Sequence, residues 1–257
     1  MKREIREVTE NGWLRITTPD SRWYARRVGD LWDYVPSVTW VAESWPKGIG
    51  FMKWLAARGF NEAEAIKEAA GDKGSKVHQA IGVLLEGGTV NMEDAFCNSD
   101  GEPEPLTPQE YFCLMTFVEW AAEEQPRVIG VEYTVWNERY RYAGTVDLKC
   151  RLKQDNYKHI WIVDFKTSQN LWPSHEIQVS AYKRADGEGD VQRLGILQVG
   201  YMKNKTRKYK FTRITDQFDL FLAARKIWQK ECAGIVPLQR EYPPSLSLQR
   251  DSMETSA

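Results

Sequence analysis

The sequence predicts a mixed α/β fold, with a central β-sheet flanked by helices and further strands and helices ahead of it. Three observations carry this. Residues 127–136, 141–152 and 159–168 are successive runs of β-branched and aromatic residues separated by short turns. A helical stretch at about 174–185 divides them from two further strand-like runs at 192–203 and 207–213. A long helical stretch at 215–233 closes the series. Three strands, a helix, two strands and a helix make a mixed core.

The elements ahead of that core come in order. Residues 13–42 alternate aromatic or β-branched with polar residues (WLRITT, RWYARRV, LWDYVPSVTW), the pattern of short strands or hairpins. From Gly50 the pattern turns helical. FMKWLAARG reads as a short basic helix, and a second helix starts after Asn61 as its cap, with a break expected near Gly71 and Gly74. Val77, Ala80, Ile81, Leu84 and Leu85 then recur at i, i+3, i+4, i+7 and i+8, a core-facing stripe. Residues 87–106 are rich in Gly, Pro and acids and are expected to form a mobile surface loop. Thr107 caps another helix, with Pro108 at its first position, running to about Glu124. The organisation expected is N-terminal strands and a basic helix over 1–60, a core over 61–236 and a fraying, Ser- and Pro-rich tail over 237–257.

Composition excludes several classes. Lys plus Arg (35) nearly cancels Asp plus Glu (36), so a polyanionic partner would have to be met by a local patch. The four cysteines, Cys97, Cys113, Cys150 and Cys232, form no C-x-x-C pair, which argues against structural zinc and a disulfide framework. The opening MKREIREVTENGW has no apolar leader segment, and no stretch approaches the roughly 18–20 apolar residues of a membrane span. A soluble protein of the cytoplasm, without a membrane partner, is expected.

The strand IVDFKTS (162–168) sets an acid and a lysine two apart in an apolar run. Side chains alternate along a strand, so Ile162, Asp164 and Lys166 share one face, while Trp161, Val163 and Phe165 share the other. Charges at the end of such a strand are costly to bury unless they pair with each other or with something brought in, and a divalent cation and a phosphate would serve. An Asp-x-Lys arises by chance about once in a chain of this length, and a strand-end ion pair would use the same two residues. The ordered set around it carries more. Asp147, in YAGTVDLKC, sits on the preceding strand, which a hairpin would bring beside Asp164; two converging carboxylates repel unless a hard cation such as Mg²⁺ joins them. Glu132 lies one strand earlier, a possible third acid. Gln178 and Tyr182 are four apart on one helix face just downstream. His78 sits beside the apolar stripe of its helix, free to lean toward a neighbouring site or to be held structurally.

The order GSKVH (74–78), VE (131–132), GTVDL (144–148), VDFKTS (163–168) and QVSAY (178–182) resembles the PD-(D/E)XK nuclease superfamily, in particular its RecB-like exonuclease branch, which includes phage and mitochondrial genome maintenance exonucleases. The match spans about residues 74–185, with YVPSVT (34–39) similar to the opening strand of that branch. The resemblance implies a restriction-endonuclease-like core. It implies that Asp147 and Asp164 hold Mg²⁺ or Mn²⁺ with help from the Phe165 backbone carbonyl, and that His78 is a further ligand or stands beside the metal. It implies that Lys166 positions or helps deprotonate the attacking water, and that Gln178 and Tyr182 line the site and orient the scissile phosphate. Glu132 matches only a loosely placed acid of the family. Relatives with an iron–sulfur cluster carry one cysteine before the core and three after it; only Cys232 comes after it here, so no cluster is expected.

The motif DLK (147–149) echoes DFK (164–166), but no G-x-x-D strand precedes it and Q-x-x-x-Y comes after the second copy, so Lys149 reads as a neighbour of the site or a DNA contact. The stretch YMKNKTRKYKFTR (201–213) interleaves Lys203, Lys205, Arg207, Lys208 and Lys210 with Tyr201, Tyr209 and Phe211, which suits a nucleic-acid backbone and equally a solvated edge hairpin. Six of the eleven tryptophans fall in the first 54 residues; most belong in the core, and one or two near Lys47, Lys53 and Arg58 could stack on bases. The expected activity is therefore metal-dependent hydrolysis of DNA, from ends and on single strands, in phage-type recombination, replication or repair, with a single-strand annealing protein as a possible partner and a bacterial cytoplasm as the setting. A structure-selective endonuclease with the same site, and a DNA-binding module that no longer cuts, are the alternatives.

Overall fold

A computed structural model of the chain describes residues 5–18, 21–187, 190–203, 206, 208–235 and 237. The 238–257 tail, Lys205 and Arg207 lie outside the described residues.

The chain opens with an antiparallel meander in the order β1 (Ile5–Val8), β2 (Leu14–Thr17), β3 (Arg22–Val28) and β4 (Leu31–Pro36). Its two faces differ because its sequence alternates. Leu14, Ile16, Trp23 and Ala25 enter the main core, while Arg15, Thr17, Arg22 and Tyr24, paired across the strands as Arg15 with Tyr24 and Thr17 with Arg22, look the other way. Helix α1 (Val38–Glu43) starts on a Ser37 side-chain cap that accepts the Trp40 N–H, and α2 (Ile49–Arg58) and α3 (Phe60–Leu85) come next.

Three expectations for this region are corrected. The strand-like run read over 13–42 stops early, because the Ser37 cap starts helix α1 at Val38. Helix α3 begins at Phe60 with Gly59 at the cap position, so Asn61 is inside it, and it runs unbroken through Gly71 and Gly74. Each interior glycine costs about 1 kcal/mol against alanine, but tertiary contacts on this stretch prevail: Val77, Ala80 and Ile81 are fully buried, and Lys76, 3% exposed, pairs with Glu110 at 3.0 Å and Glu104 at 3.3 Å. The 87–106 segment is also less free than expected. It contains a hairpin of β5 (Ala95–Cys97) and β6 (Pro103–Pro105), tied to α3 by Lys76, by Gln79 bonding both the N–H and carbonyl of Cys97, and by Asp72 accepting from Ser99. Asp72, Lys76 and Gln79 recur on one helical face, which turns a Gly- and Pro-rich loop into a fixed wall.

Thr107 and Glu110 form the expected capping box at the start of α4 (Pro108–Glu124). The main sheet then assembles from β7 (Arg127–Asn137), β8 (Tyr142–Arg151), β9 (Trp161–Lys166), β10 (Arg193–Val199) and β11 (Tyr209–Ile214), in the order β11-β10-β9-β8-β7. All pairs are antiparallel except β9 with β10, whose parallel pairing is bridged by α5 (Pro173–Asp186); α6 (Phe218–Glu231) comes after β11. β9 and β10 are shorter than the runs read from the sequence: β9 ends at Lys166, before the polar Thr167 and Ser168, and β10 ends at Val199, where Gly200 turns the chain with φ +64°.

The central strand divides its side chains as its alternation demands. Trp161, Val163 and Phe165 pack with Val77, Ile81, Phe117 and Trp120 of α3 and α4, while Ile162 packs with Ile177 and Ala181 of α5 and Phe221 of α6. Each such fully buried side chain contributes about 1.5–3 kcal/mol. Of the six N-terminal tryptophans expected mostly in the core, Trp23 is buried with Trp40 and Trp45 packed against that core, while Trp32 is exposed; Trp23 and Trp40 meet Trp228 of α6 edge-on at 6.0 and 5.0 Å. Among the described residues no helix is long and apolar enough to cross a membrane.

A close approach at Gly144 ties β8 to α5 and α1. A methyl group there would stand 2.6 Å from Tyr182 Cε1 of α5 and 3.1 Å from Val38 Cγ2. Gly144→Ala is therefore expected to destabilise the protein by about 1–3 kcal/mol and to push Tyr182 aside; a urea midpoint equal to that of the unaltered protein would refute it.

Candidate metal centre and its cleft

The hairpin between β8 and β9 sets Asp147 beside Asp164, as the sequence predicts. Leu148 pairs with Val163, so the next antiparallel position brings the two acids together where β9 ends. Asp147 Oδ2 accepts the Phe165 N–H at 2.6 Å, and Asp147 Oδ1 lies 3.4 Å from His78 Nδ1. His78 comes from α3, on the other side of the sheet, and its Nε2 lies 3.0 Å from the Phe165 carbonyl. Both ring nitrogens and both Asp147 oxygens are thus committed around the turn of backbone at Phe165.

Glu132 joins from β7. It has φ +46°, the left-handed region that a non-glycine residue enters only at a cost of about 1–2 kcal/mol. Its carboxylate lies 3.8 Å from His78 Nδ1, and ligand atoms of His78, Glu132 and Asp147 all fall within 4.8 Å of one another. Glu132 Oε1 is buried and accepts no hydrogen bond. Asp164 Oδ2, also buried without an aligned hydrogen bond, forms an ion pair with Lys166 Nζ at 2.6 Å. A buried carboxylate oxygen without a donor, as at Glu132, is a group that a divalent cation satisfies, and His plus carboxylates plus a carbonyl is a donor set that suits Mg²⁺ or Mn²⁺.

The protonation pattern agrees with this donor set. Burial disfavours a charged His78, but Asp147 and Glu132 outweigh it and push the ring up to about 9. Burial, then repulsion from Asp147, pushes Glu132 up to about 7. Burial, with Asp147 adding to it against the pull of Lys166, pushes Asp164 up to about 6. For Asp147 burial is outweighed by His78, and its carboxyl is held below its usual range. Lys166 is partly buried, which lowers its value, yet Asp164 and Asp147 keep it above its ordinary value, so it is an ammonium at neutral pH. A site without metal therefore retains protons where a divalent ion would compete for the same acids.

Helix α5 supplies the next layer. Gln178 Nε2 donates to Tyr182 Oη at 2.8 Å and to Asp164 Oδ1 at 3.4 Å, which makes it the link between the acid and the tyrosine. Burial and the adjacent carboxylates hold Tyr182 well above its usual value, so it stays a phenol with its own hydrogen to donate.

These groups line one cleft of about 890 Å³. Its other walls are the polar face of the N-terminal meander, the 97–101 turn of the small hairpin and the start of α5. The meander is fastened across the cleft: Glu10 accepts from Thr134 of β7, Asn11 Nδ2 donates to the Thr134 carbonyl at 3.3 Å, and Tyr24 Oη meets Thr145 Oγ1 at 2.8 Å.

The expected DNA-binding lysines fare differently. Lys149 is engaged by Asp186 at 2.6 Å and Lys210 lies over the Tyr201 ring at 5.6 Å; neither they nor Lys203 and Lys208 line the cleft. The reason is topological, since β11 and its approach form the far edge of the sheet from β7. The cleft instead takes Arg15, Arg22, Lys47, Lys73, Trp172 and His175, none of which the sequence singles out as a site residue. A signal for the first two was present in the alternation of polar and apolar residues on β2 and β3. His175 is a neutral imidazole, pushed down to about 3 by burial and by Lys166 and Lys47, with Nδ1 facing the Trp172 N–H at 3.4 Å.

No protein-family model matches the chain, and no curated protein matches it by sequence.

Proposed function

We propose that this protein is a divalent-metal-dependent deoxyribonuclease of the PD-(D/E)XK type, with a restriction-endonuclease-like core of the RecB-like branch, acting on DNA ends. The observation that carries the reading is the meeting, in one cleft, of His78, Asp147, Asp164, the Phe165 carbonyl and Lys166 with Gln178 and Tyr182 behind them. These groups come from α3, β8, β9 and α5, and a strand-end ion pair would require only two of them.

Asp147, Asp164, His78 and the Phe165 carbonyl would hold Mg²⁺ or Mn²⁺, with Glu132 as a further carboxylate. A cation held there would supply Lewis acidity to a phosphodiester and its attacking water. Lys166, as an ammonium, contributes positive charge where the non-bridging phosphate oxygens gather charge. Gln178 keeps Asp164 and Tyr182 in place, and the Tyr182 hydroxyl donates to a phosphate oxygen. Removal of one such electrostatic stabiliser lowers rates by about 10²–10³-fold in hydrolytic enzymes.

The test is degradation of end-labelled single- and double-stranded DNA with Mg²⁺, Mn²⁺ or EDTA. Stepwise shortening that needs metal is expected, with a loss of about 10²–10³-fold in Lys166→Ala. DNA left intact under every condition would sink the catalytic reading, and binding that is equal in EDTA and Mg²⁺ would then favour a module that holds DNA without cutting it.

A further inference from the structure

We propose that the polar face of the N-terminal meander is a platform for the backbone of a single nucleic-acid strand entering the cleft, with Arg22 and Lys47 as its phosphate-binding cations. The inference rests on the nuclease reading and locates where that enzyme grips its substrate.

The meander presents Arg15, Thr17, Arg22 and Tyr24 to the cleft because the opposite face is fully used in the core. Tyr24 fixes its position relative to the acids: its hydroxyl meets Thr145, two residues before Asp147 on β8. Arg22 lies two residues from Tyr24 on the same face, roughly 6–7 Å along the strand at the usual rise. Lys47, in the connection between α1 and α2, also lines the cleft.

The charges on this face are not equivalent. Arg15 is paired with its cross-strand partner Glu7, and Glu10 is used by Thr134. Arg22 and Lys47 are exposed and, among the described residues, have no ion pair or side-chain hydrogen bond; Glu43 at the rim is the remaining acid of that part of the cleft without one. Arg22 on β3 and Lys47 in the connection between α1 and α2 line the same cleft as the metal centre and suit phosphates of one strand, which need positive charge and no base-specific contact. Exposed Trp172, at the mouth, offers a face for base stacking.

Two fastened walls bound the path of the strand. The meander is fastened to β7 and β8 on one side, and the small hairpin is fastened to α3 on the other. Between them lies a cleft of about 890 Å³, and a short run of one strand, with its phosphates along a charged groove and its bases free to stack, suits it.

The experiment is fluorescence anisotropy of a labelled oligothymidylate in EDTA at several salt concentrations, with the unaltered protein, Arg22→Ala, Lys47→Ala, Arg22→Lys, and Lys208→Ala/Lys210→Ala, alongside metal-dependent cleavage of the same oligonucleotide. Arg22→Ala and Lys47→Ala are each expected to weaken binding roughly tenfold and to flatten the dependence of log affinity on log salt by about 0.7. Arg22→Lys should restore the slope, and the Lys208/Lys210 variant should match the unaltered protein. If the unaltered protein cuts DNA while Arg22→Ala and Lys47→Ala bind as it does, the platform is wrong and the nuclease reading stands. If only the Lys208/Lys210 variant loses affinity, the platform is likewise wrong and the strand runs along the far sheet edge. If the unaltered protein binds the oligonucleotide through Arg22 and Lys47 yet never cuts it, the platform survives and the nuclease reading fails.

Discussion

Asp147→Asn is expected to abolish divalent-cation binding and DNA cleavage together while leaving the fold in place. The amide oxygen of the new side chain can still accept the Phe165 N–H that Asp147 holds at 2.6 Å, so the joint between β8 and β9 keeps its hydrogen bond. What disappears is the negative charge. That charge sits 3.4 Å from His78 and, with Glu132, is what holds a proton on the ring against burial. It is also the acid whose carboxyl stays ionised most readily among the buried acids of the site. Loss of an anionic ligand should reduce cleavage by at least about 10³-fold, and titration calorimetry with Mn²⁺ should lose its binding isotherm. A thermal midpoint close to that of the unaltered protein would show that the effect is local. Cleavage by the variant within about tenfold of the unaltered protein would refute the assignment of Asp147 as a metal ligand, a margin set by the size of a lesser, outer contact.

Stability without metal is expected to fall as pH rises from about 6 to about 9, and added Mn²⁺ should offset more of that fall the higher the pH. The sign comes from linkage. His78 is raised from its ordinary value to about 9, so its contribution is complete below pH 6.5 and is lost as pH rises through about 9. Glu132, raised to about 7, and Asp164, raised to about 6, act in the same direction over a lower range. Asp147 is lowered and contributes only under acid conditions, outside this window. Metal competes with the retained protons, so its binding should release them and strengthen with pH. Differential scanning fluorimetry from pH 6 to 9, with EDTA and with Mn²⁺, reads both effects. A midpoint increment from Mn²⁺ that is constant or shrinks with pH would contradict the coupling of the proton and metal positions.

The outline of the fold was legible because its signals are local. The stripe Val77, Ala80, Ile81, the Thr107 cap with Pro108, and the alternation Ile162, Asp164, Lys166 each depend on neighbours a few residues away, and each takes the form its pattern dictates. Gly71 and Gly74 misled for the same reason. Their local cost to a helix is real, but buried Lys76 and the docked hairpin, whose partners come from elsewhere in the chain, outweigh it. The acids were legible by order; Glu132 was the least secure of them, because its approach to His78 needs a positive φ that no residue type at that position announces. The basic strip at 201–213 drew attention by density of charge, whereas Arg22 and Lys47 lie far apart in the sequence and come to line one cleft only in the folded chain.

By itself, the sequence determined the mixed α/β class, the Thr107 helix cap, the face that Ile162, Asp164 and Lys166 share and the helix face that Gln178 and Tyr182 share. Those depend on periodicity and hydrogen-bonding chemistry within a few residues. Only the tertiary structure decided that the N-terminal meander and the small hairpin become two walls of the cleft that holds the site, that Lys149 serves Asp186, and that Lys210 of β11, with Lys203 and Lys208 ahead of it, lies away from the cleft. Those outcomes depend on which distant surfaces can bury apolar area and satisfy polar groups together, and that is a property of the assembled chain.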